Sequence, residues 1–218
     1  MKDPVFINPH ITASEPLGKE IIKVLKKYKP DTILDVGASD GQGSTKVLAK
    51  NSSKWKAQIH AIEYTESRYI TLVDYFKNND NVIPRLCAAS PEIMTDANIR
   101  KLHKDYPKWD VWRTFGLDGV IERLYNTQQK LSKIESNGIE AIKKEYDIEN
   151  FDLVILDGSP FSGRGELEAV YGSDIIVLDD INDIKNKGNY RRLSKSADYT
   201  LLTEDLRYRN GYAIFKHK

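Results

Sequence analysis

The chain has 218 residues, a formal net charge of +1, and 40% hydrophobic and 30% charged residues, the size and balance of one soluble globular domain, spanning residues 1–218, with a full core. Near-neutral charge excludes a global field drawing the chain onto nucleic acid or an anionic membrane, and a single cysteine, Cys87, excludes an internal disulfide framework or a multi-cysteine zinc site. No run is apolar enough to span a bilayer and the first residues lack a signal-peptide core, so a cytoplasmic setting is expected.

Residues Met1 to Leu17 read as irregular, punctuated by Pro4, Pro9 and Pro16. Glu20 to Tyr28 sets Ile21, Ile22, Val24 and Leu25 among lysines, an amphipathic helix that Pro30 ends. Residues 1–30 are thus expected to form a helical cover over one face of a sheet. Thr32 to Val36 is a short apolar run, a buried strand. It breaks into a loop with Gly37, Gly41 and Gly43, after which Ser44 to Lys50 reads as the first turns of a helix. Strand, glycine loop and helix N-terminus in that order make a cradle for a nucleotide-type cofactor. Glycines let backbone approach the ligand, and the helix start offers unpaired N–H groups. The spacing G-x-x-x-G-x-G is not the G-x-G-x-x-G of dinucleotide enzymes, and no lysine follows as in a P-loop. The cradle candidates are Asp35, Gly37, Ala38, Ser39, Asp40, Gly41, Gly43 and Ser44; an ordinary strand-to-helix turn is the alternative.

Lys56 to Ile62 is a second strand ending at Glu63. An acidic side chain there bonds ribose hydroxyls in nucleotide-binding α/β domains, since a carboxylate accepts from two neighbouring hydroxyls. Tyr64 follows and is placed to pack on a base. Glu66 to Asn78 reads as a helix. Val82 to Ala88 is a third strand whose Pro84 implies an edge position. The small side chains of Ala88 and Ala89 leave room for a flat ring. Residues 91–150 exceed one crossover and are expected as an insertion forming a wall or lid, with Trp109, Trp112, Phe115 and Tyr125 among charges and a helix from Gln128 to Tyr146. Its rings serve either as platforms for sugar faces or as packing.

Phe151 to Leu156 is the fourth strand, ending at Asp157; a loop with Gly163 and Gly165, free to move, leads to a short helix from Glu166 to Tyr171. Asp174 to Leu178 is the fifth strand, ending at Asp179 and Asp180. Tyr199 to Thr203 and Tyr212 to Lys216 form a closing antiparallel pair. Alternating strands and helices imply a mostly parallel sheet covered on both faces. If strands four and five are neighbours, Asp157, Asp179 and Asp180 converge where ligands bind in such sheets. Like charges that close need a proton or cation, and oxygen-only ligands suit Mg²⁺ or Mn²⁺; solvated strand-end aspartates are the alternative.

The glycine loop, with Asp35 two residues before Gly37, resembles motif I of the class I S-adenosylmethionine-dependent methyltransferases. The segments LDGSPF and LDDIND resemble the metal-dependent O-methyltransferases of the catechol and macrocin types at Asp157, Asp179 and Asp180. The resemblance implies an α/β Rossmann-like fold with one seven-stranded, mostly parallel sheet and an antiparallel last strand, with Ala88 and Ala89 flanking adenine. It also implies S-adenosylmethionine and a divalent metal as cofactors. The chain departs from the catechol type at the base: no lysine follows Asp157 in Gly158 to Phe161, so Asp157 itself, Asp183 or a metal-bound hydroxide is left to take the proton. LDGSPF and DDINDIKN are also similar to methyltransferase-like proteins found beside glycosyltransferases, which implies a sugar or glycan acceptor and glycosyltransferase partners. Arg164, Lys185 and Trp112 are the candidate acceptor contacts. A binding module without turnover and a NAD or nucleotide-sugar oxidoreductase are the rival readings.

Overall fold

A computed structural model describes residues 11–218; the first ten residues of the expected N-terminal cover lie outside them. α1 (Pro16–Tyr28) starts earlier than the apolar pattern suggests, because Pro16 occupies its first turn, where the missing N–H has no intrahelical partner to lose. β1 (Thr32–Val36) follows, buried after Thr32. Then come α2 (Ser44–Ser52), β2 (Gln58–Glu63), α3 (Glu66–Phe76) and β3 (Val82–Leu86). The insertion carries α4 (Asp96–Asp105), α5 (Asp110–Leu131) and α6 (Gly138–Tyr146). The chain closes with β4 (Leu153–Leu156), α7 (Gly163–Val170), β5 (Ile175–Asp179), α8 (Lys187–Lys195), β6 (Tyr199–Asp205) and β7 (Tyr212–His217).

The seven strands form one sheet in the order β3-β2-β1-β4-β5-β7-β6. The first five are parallel and β7 runs antiparallel to both β5 and β6, the expected topology. β3 is an edge strand, which accommodates Pro84 opposite Ala61. Alternate residues serve opposite faces. Leu153, Ile155, Ile175 and Val177 pack with Ile21 of α1 and Leu48 of α2; Val154, Leu156, Ile176 and Leu178 pack with Ile142 of α6 and Leu167 of α7. Each such side chain contributes about 1.5–3 kcal/mol relative to exposure, so central strands buried on both faces read as unbroken apolar runs.

Two expectations are corrected. The single helix from Gln128 to Tyr146 is broken over residues 132–137. There Ala88 N–H donates to Glu135 O (2.7 Å) and Gly138 N–H donates to Ala88 O (2.8 Å), pulling the chain onto the end of β3. A Cβ at Gly138 would lie 2.1 Å from Cys87 Sγ, so only glycine permits that approach. Gly163 and Gly165 are not a movable loop but the first turn of α7, where added Cβ atoms would meet Lys185 O at 2.3 Å and Ser90 Oγ at 2.4 Å.

Gly37 joins the ends of β1 and β4. Its φ is +91°, and a Cβ there would lie 2.2 Å from Asp157 O; the space a side chain would fill belongs to backbone, not to a ligand. Gly37→Ala should therefore lower stability by about 1–3 kcal/mol, read as a lower urea midpoint. An unchanged midpoint would remove this account of the glycine.

Candidate functional site

The C-terminal ends of β1, β2, β4 and β5 bring together most of the residues singled out above. Gly37 and Ala38 both donate to Ile62 O at 3.0 Å, so the glycine loop lies against the end of β2. Glu63 is 2% exposed; it accepts from Ser39 N–H at Oε2 (2.9 Å) and from Thr65 N–H at Oε1 (2.6 Å). Burial raises its pKa, against those N–H donors and Arg68. Each oxygen keeps a second acceptor direction, so Glu63 can hold the loop and still receive ribose hydroxyls. Asp40 accepts from Gln42 N–H (3.1 Å) and shapes the turn before Gly43, the N-cap of α2. Tyr64, Ala88 and Ala89 share a cavity with Val36, Gly37 and Ile62. Small side chains beside a carboxylate that still accepts have the chemistry an adenosyl group would meet, around a cavity of about 10 Å³.

Asp35 and Ser44 do something else. Asp35 is fully buried, and its oxygens receive Ser44 Oγ–H (2.9 Å) and Thr45 Oγ1–H (2.6 Å). These bonds staple β1 to the start of α2 from inside. Burial pushes the Asp35 pKa up to about 6, opposed by Thr45 and Ser44 and helped by the charge of Asp157.

Asp157, Asp179 and Asp180 do converge: each offers an oxygen within 4.8 Å of the others. The ammonium of Lys185 lies among them, 2.5 Å from Asp157 Oδ1 and 2.7 Å from Asp180 Oδ2, its side chain 13% exposed. Burial alone would depress the Lys185 pKa; Asp157, Asp180 and Asp179 outweigh it and hold the ammonium well above its usual range. Asp179 goes the other way, raised well above the carboxylate range by burial and by the charges of Asp157 and Asp180. Asn186 Nδ2 donates to Leu156 O (2.9 Å) and Asp179 O (2.7 Å), tying the ends of β4 and β5 together; Asn210 donates to Asp180 Oδ1 (3.1 Å). Three carboxylates in this space have the donor chemistry of a hard divalent ion, so the residues fit one, in competition with the ammonium for the same oxygens. Asp183 lies on the same loop. Its Oδ1 accepts from Ile184 N–H (2.6 Å), and burial and Asp180 raise its pKa.

The insertion stands over this edge as a wall with its own apolar core of Ile99, Trp112, Val120, Ile121 and Leu124, closed by Phe161 after β4 and Ile184 after β5. Phe161, 2% exposed, is part of that packing. Trp112 is 6% exposed and donates its indole N–H to Tyr106 O (2.8 Å), so it belongs to the wall's core rather than to an open sugar platform. Arg164 is 76% exposed and pairs with Glu92 (3.5 Å). Of the expected acceptor contacts only Lys185 joins the cluster. Asn186 carried no signal of its own; an asparagine before a helix looks like surface until strand pairing places it.

No protein-family model matches the sequence, and no curated protein matches it. Solved structures do. The SAH-bound methyltransferase PaMTH1 of Podospora anserina aligns with TM-score 0.55 and 15% identity over 92% of this chain and 77% of that one. An O-methyltransferase from Bacillus cereus in complex with SAH aligns with TM-score 0.56 and 14% identity over 96% and 84%. A methyltransferase from Geobacter sulfurreducens aligns with TM-score 0.56 and 11% identity over 95% and 80%. The chain has the Rossmann-like fold of the class I S-adenosylmethionine-dependent methyltransferases.

The Asp35 carboxyl sets a pH dependence. With the folded pKa near 6 and the ordinary value 3.8, the native state binds a proton between those values that the unfolded chain has released. Asp35's contribution to stability therefore falls as pH rises through that window. Asp35→Asn should flatten the stability profile between about pH 4 and 6, followed by urea midpoints at stepped pH; an unaltered slope would mean Asp35 is ionised throughout.

Proposed function

We propose that the protein is an S-adenosylmethionine-dependent O-methyltransferase acting on a hydroxyl of a sugar or similar polyol. The observation that carries this reading is the arrangement of one sheet edge. Glu63 is clamped to the glycine loop at the end of β2, and a cluster of three carboxylates and a buried ammonium stands at the ends of β4 and β5. The first suits an adenosyl group; the second suits an aliphatic hydroxyl, a weak acid that must be oriented and relieved of its proton. The glycan setting, with glycosyltransferases nearby, rests on the likeness of LDGSPF and DDINDIKN alone. Among the described residues no helix is long and apolar enough to cross a membrane.

When bound, the cofactor supplies a methyl group activated on a sulfonium. Glu63 accepts from the ribose hydroxyls and holds the glycine loop through Ser39. Asp157 receives the proton of the acceptor hydroxyl as its oxygen bonds to the methyl carbon. Lys185 keeps Asp157 and Asp180 in place and donates to the acceptor oxygen, and the wall of α4 and α5 limits water at this edge. A divalent ion held by Asp157, Asp179 and Asp180 would take the ammonium's place and lower the hydroxyl pKa in its stead.

Calorimetry should find S-adenosylhomocysteine bound and NAD not bound. Glu63→Ala should weaken S-adenosylhomocysteine about tenfold to a hundredfold, the loss of hydrogen bonds to a charged acceptor worth roughly 1.5–3 kcal/mol; a loss below about twofold would return Glu63 to a purely structural part. Tight cofactor binding with no methyl transfer to a panel of sugars and nucleotide sugars would favour the binding-module reading. The competition at the carboxylates is separately testable. Lys185→Met removes the ammonium, so Mn²⁺ affinity read by electron paramagnetic resonance should rise about tenfold or more. Equal affinity in both proteins would show that ion and ammonium do not share a place.

A further inference from the structure

α5 is broken at Gly116, where φ is +66° and ψ is 170°, a conformation essentially confined to glycine. Packing does not demand the break, since a Cβ added there would meet nothing within 4 Å. Its effect is to fold Phe115 back along the second part of the helix. A Cβ at Gly119 would lie 3.5 Å from Phe115 Cβ, and the Arg123 guanidinium stands 4.2 Å from the centre of the Phe115 ring. Phe115 is 42% exposed and Arg123 is exposed as well. An exposed pair of this kind adds little to stability, so the fold itself gives no reason for it.

The pair lies beside the reacting edge. Ile121 and Leu124, on either side of Arg123 in sequence, pack with Phe161 and with Ile184, the neighbour of Lys185. Burial and Glu63 raise the Tyr64 pKa, and the charges of Arg68, Lys185 and Arg123 oppose them, so Arg123 and Lys185 act on one phenol. Stacking on a ring orients a guanidinium through its face and leaves the N–H groups at its edge unspent. Among the described residues no oxygen accepts from Arg123. A planar fork of donors held at a set angle is a receptor for carboxylate or phosphate, and the exposed part of the ring offers an apolar surface to a sugar face.

We propose that the acceptor sugar carries an anionic group, a carboxylate or a phosphate, which the Phe115–Arg123 pair binds while the hydroxyl to be methylated is held at Asp157 and Lys185. This rests on the reading of the protein as a sugar O-methyltransferase and adds the charge of its acceptor: a uronic acid or a sugar phosphate rather than a neutral sugar. Arg123 meets the acceptor at a group that does not react, so it sets which sugar is taken and leaves the transfer step to the carboxylate cluster.

The test is titration of the S-adenosylhomocysteine-saturated protein with glucuronate, glucose 6-phosphate and glucose at one ionic strength, followed by the protein's NMR shifts. At least one anionic sugar should bind about tenfold or more tighter than glucose; the one preferred tells a carboxylate-bearing acceptor from a phosphate-bearing one. Arg123→Gln should narrow that preference to within about twofold while S-adenosylhomocysteine affinity stays within about threefold. Arg123→Lys, which keeps the charge but not the fork, should keep only part of the preference. Both side chains of the pair are exposed, so the variants retain the fold. No preference among the three sugars, or a full preference retained in Arg123→Gln, would overturn the inference. So would a large loss of S-adenosylhomocysteine affinity in Arg123→Gln, which would assign the guanidinium to the cofactor's own carboxylate. Failure of wild type to bind S-adenosylhomocysteine would instead remove the reading beneath it, an outcome distinct from the others.

Discussion

Three carboxylates within 4.8 Å of one another at the ends of β4 and β5 repel, and the Lys185 ammonium is what lets them stand together. Its two contacts, to Asp157 and Asp180, bridge strand ends that the sheet already makes neighbours. A buried ammonium without partners would lose its proton or drag in water; three unpaired aspartates would do the reverse. Each side supplies what the other lacks. The loop that delivers Lys185 also delivers Ile184 into the wall's core and Asn186 into the gap between β4 and β5. Charge pairing, strand spacing and the seat of the insertion therefore depend on one short segment, residues 180–187.

The carboxyl groups along this edge show how environment divides one functional group into several tasks. Asp35 turns inward to two hydroxyls and is a fastener. Glu63 accepts from two backbone amides and stays able to accept more. Asp179 is pushed toward its neutral form, while Asp157 and Asp180 meet the ammonium. What separates them is not residue type but which donors reach each oxygen and how much water is excluded.

That distinction marks how far the sequence can be read. The unbroken apolar runs of β4 and β5, the glycine loop and the acid ending β2 were legible because burial on two faces, tight turns and strand ends each leave a local pattern. Pro84 placed β3 at an edge for the same reason. The task of Asp35 left no local trace, because its partners Ser44 and Thr45 lie on the far side of a loop, and spacing alone does not say which way a carboxylate points. For Trp112 platform and packing both stood open, because an aromatic among charges does not show its exposure until the insertion is seen to have a core. The break at residues 132–137 comes from hydrogen bonds to Ala88, and the burial of Lys185 from Asp157, 28 residues away, together with Asp180 on its own loop; the contacts to Ala88 and Asp157 leave no local trace.

One feature of the sheet governs the order in which the molecule can be assembled. β7 is inserted between β5 and β6, so the strand latest in the chain occupies an interior place. Until residues 212–217 are available, β5 has an open side and Ile176 and Leu178 lack the cover of Phe215 and Ala213. During synthesis on a ribosome this half must wait with an adhesive edge exposed, a template for pairing with other chains. The carboxylates at the end of β5 are thus set in place last, so the half of the molecule that would do chemistry matures after the half that would hold the cofactor.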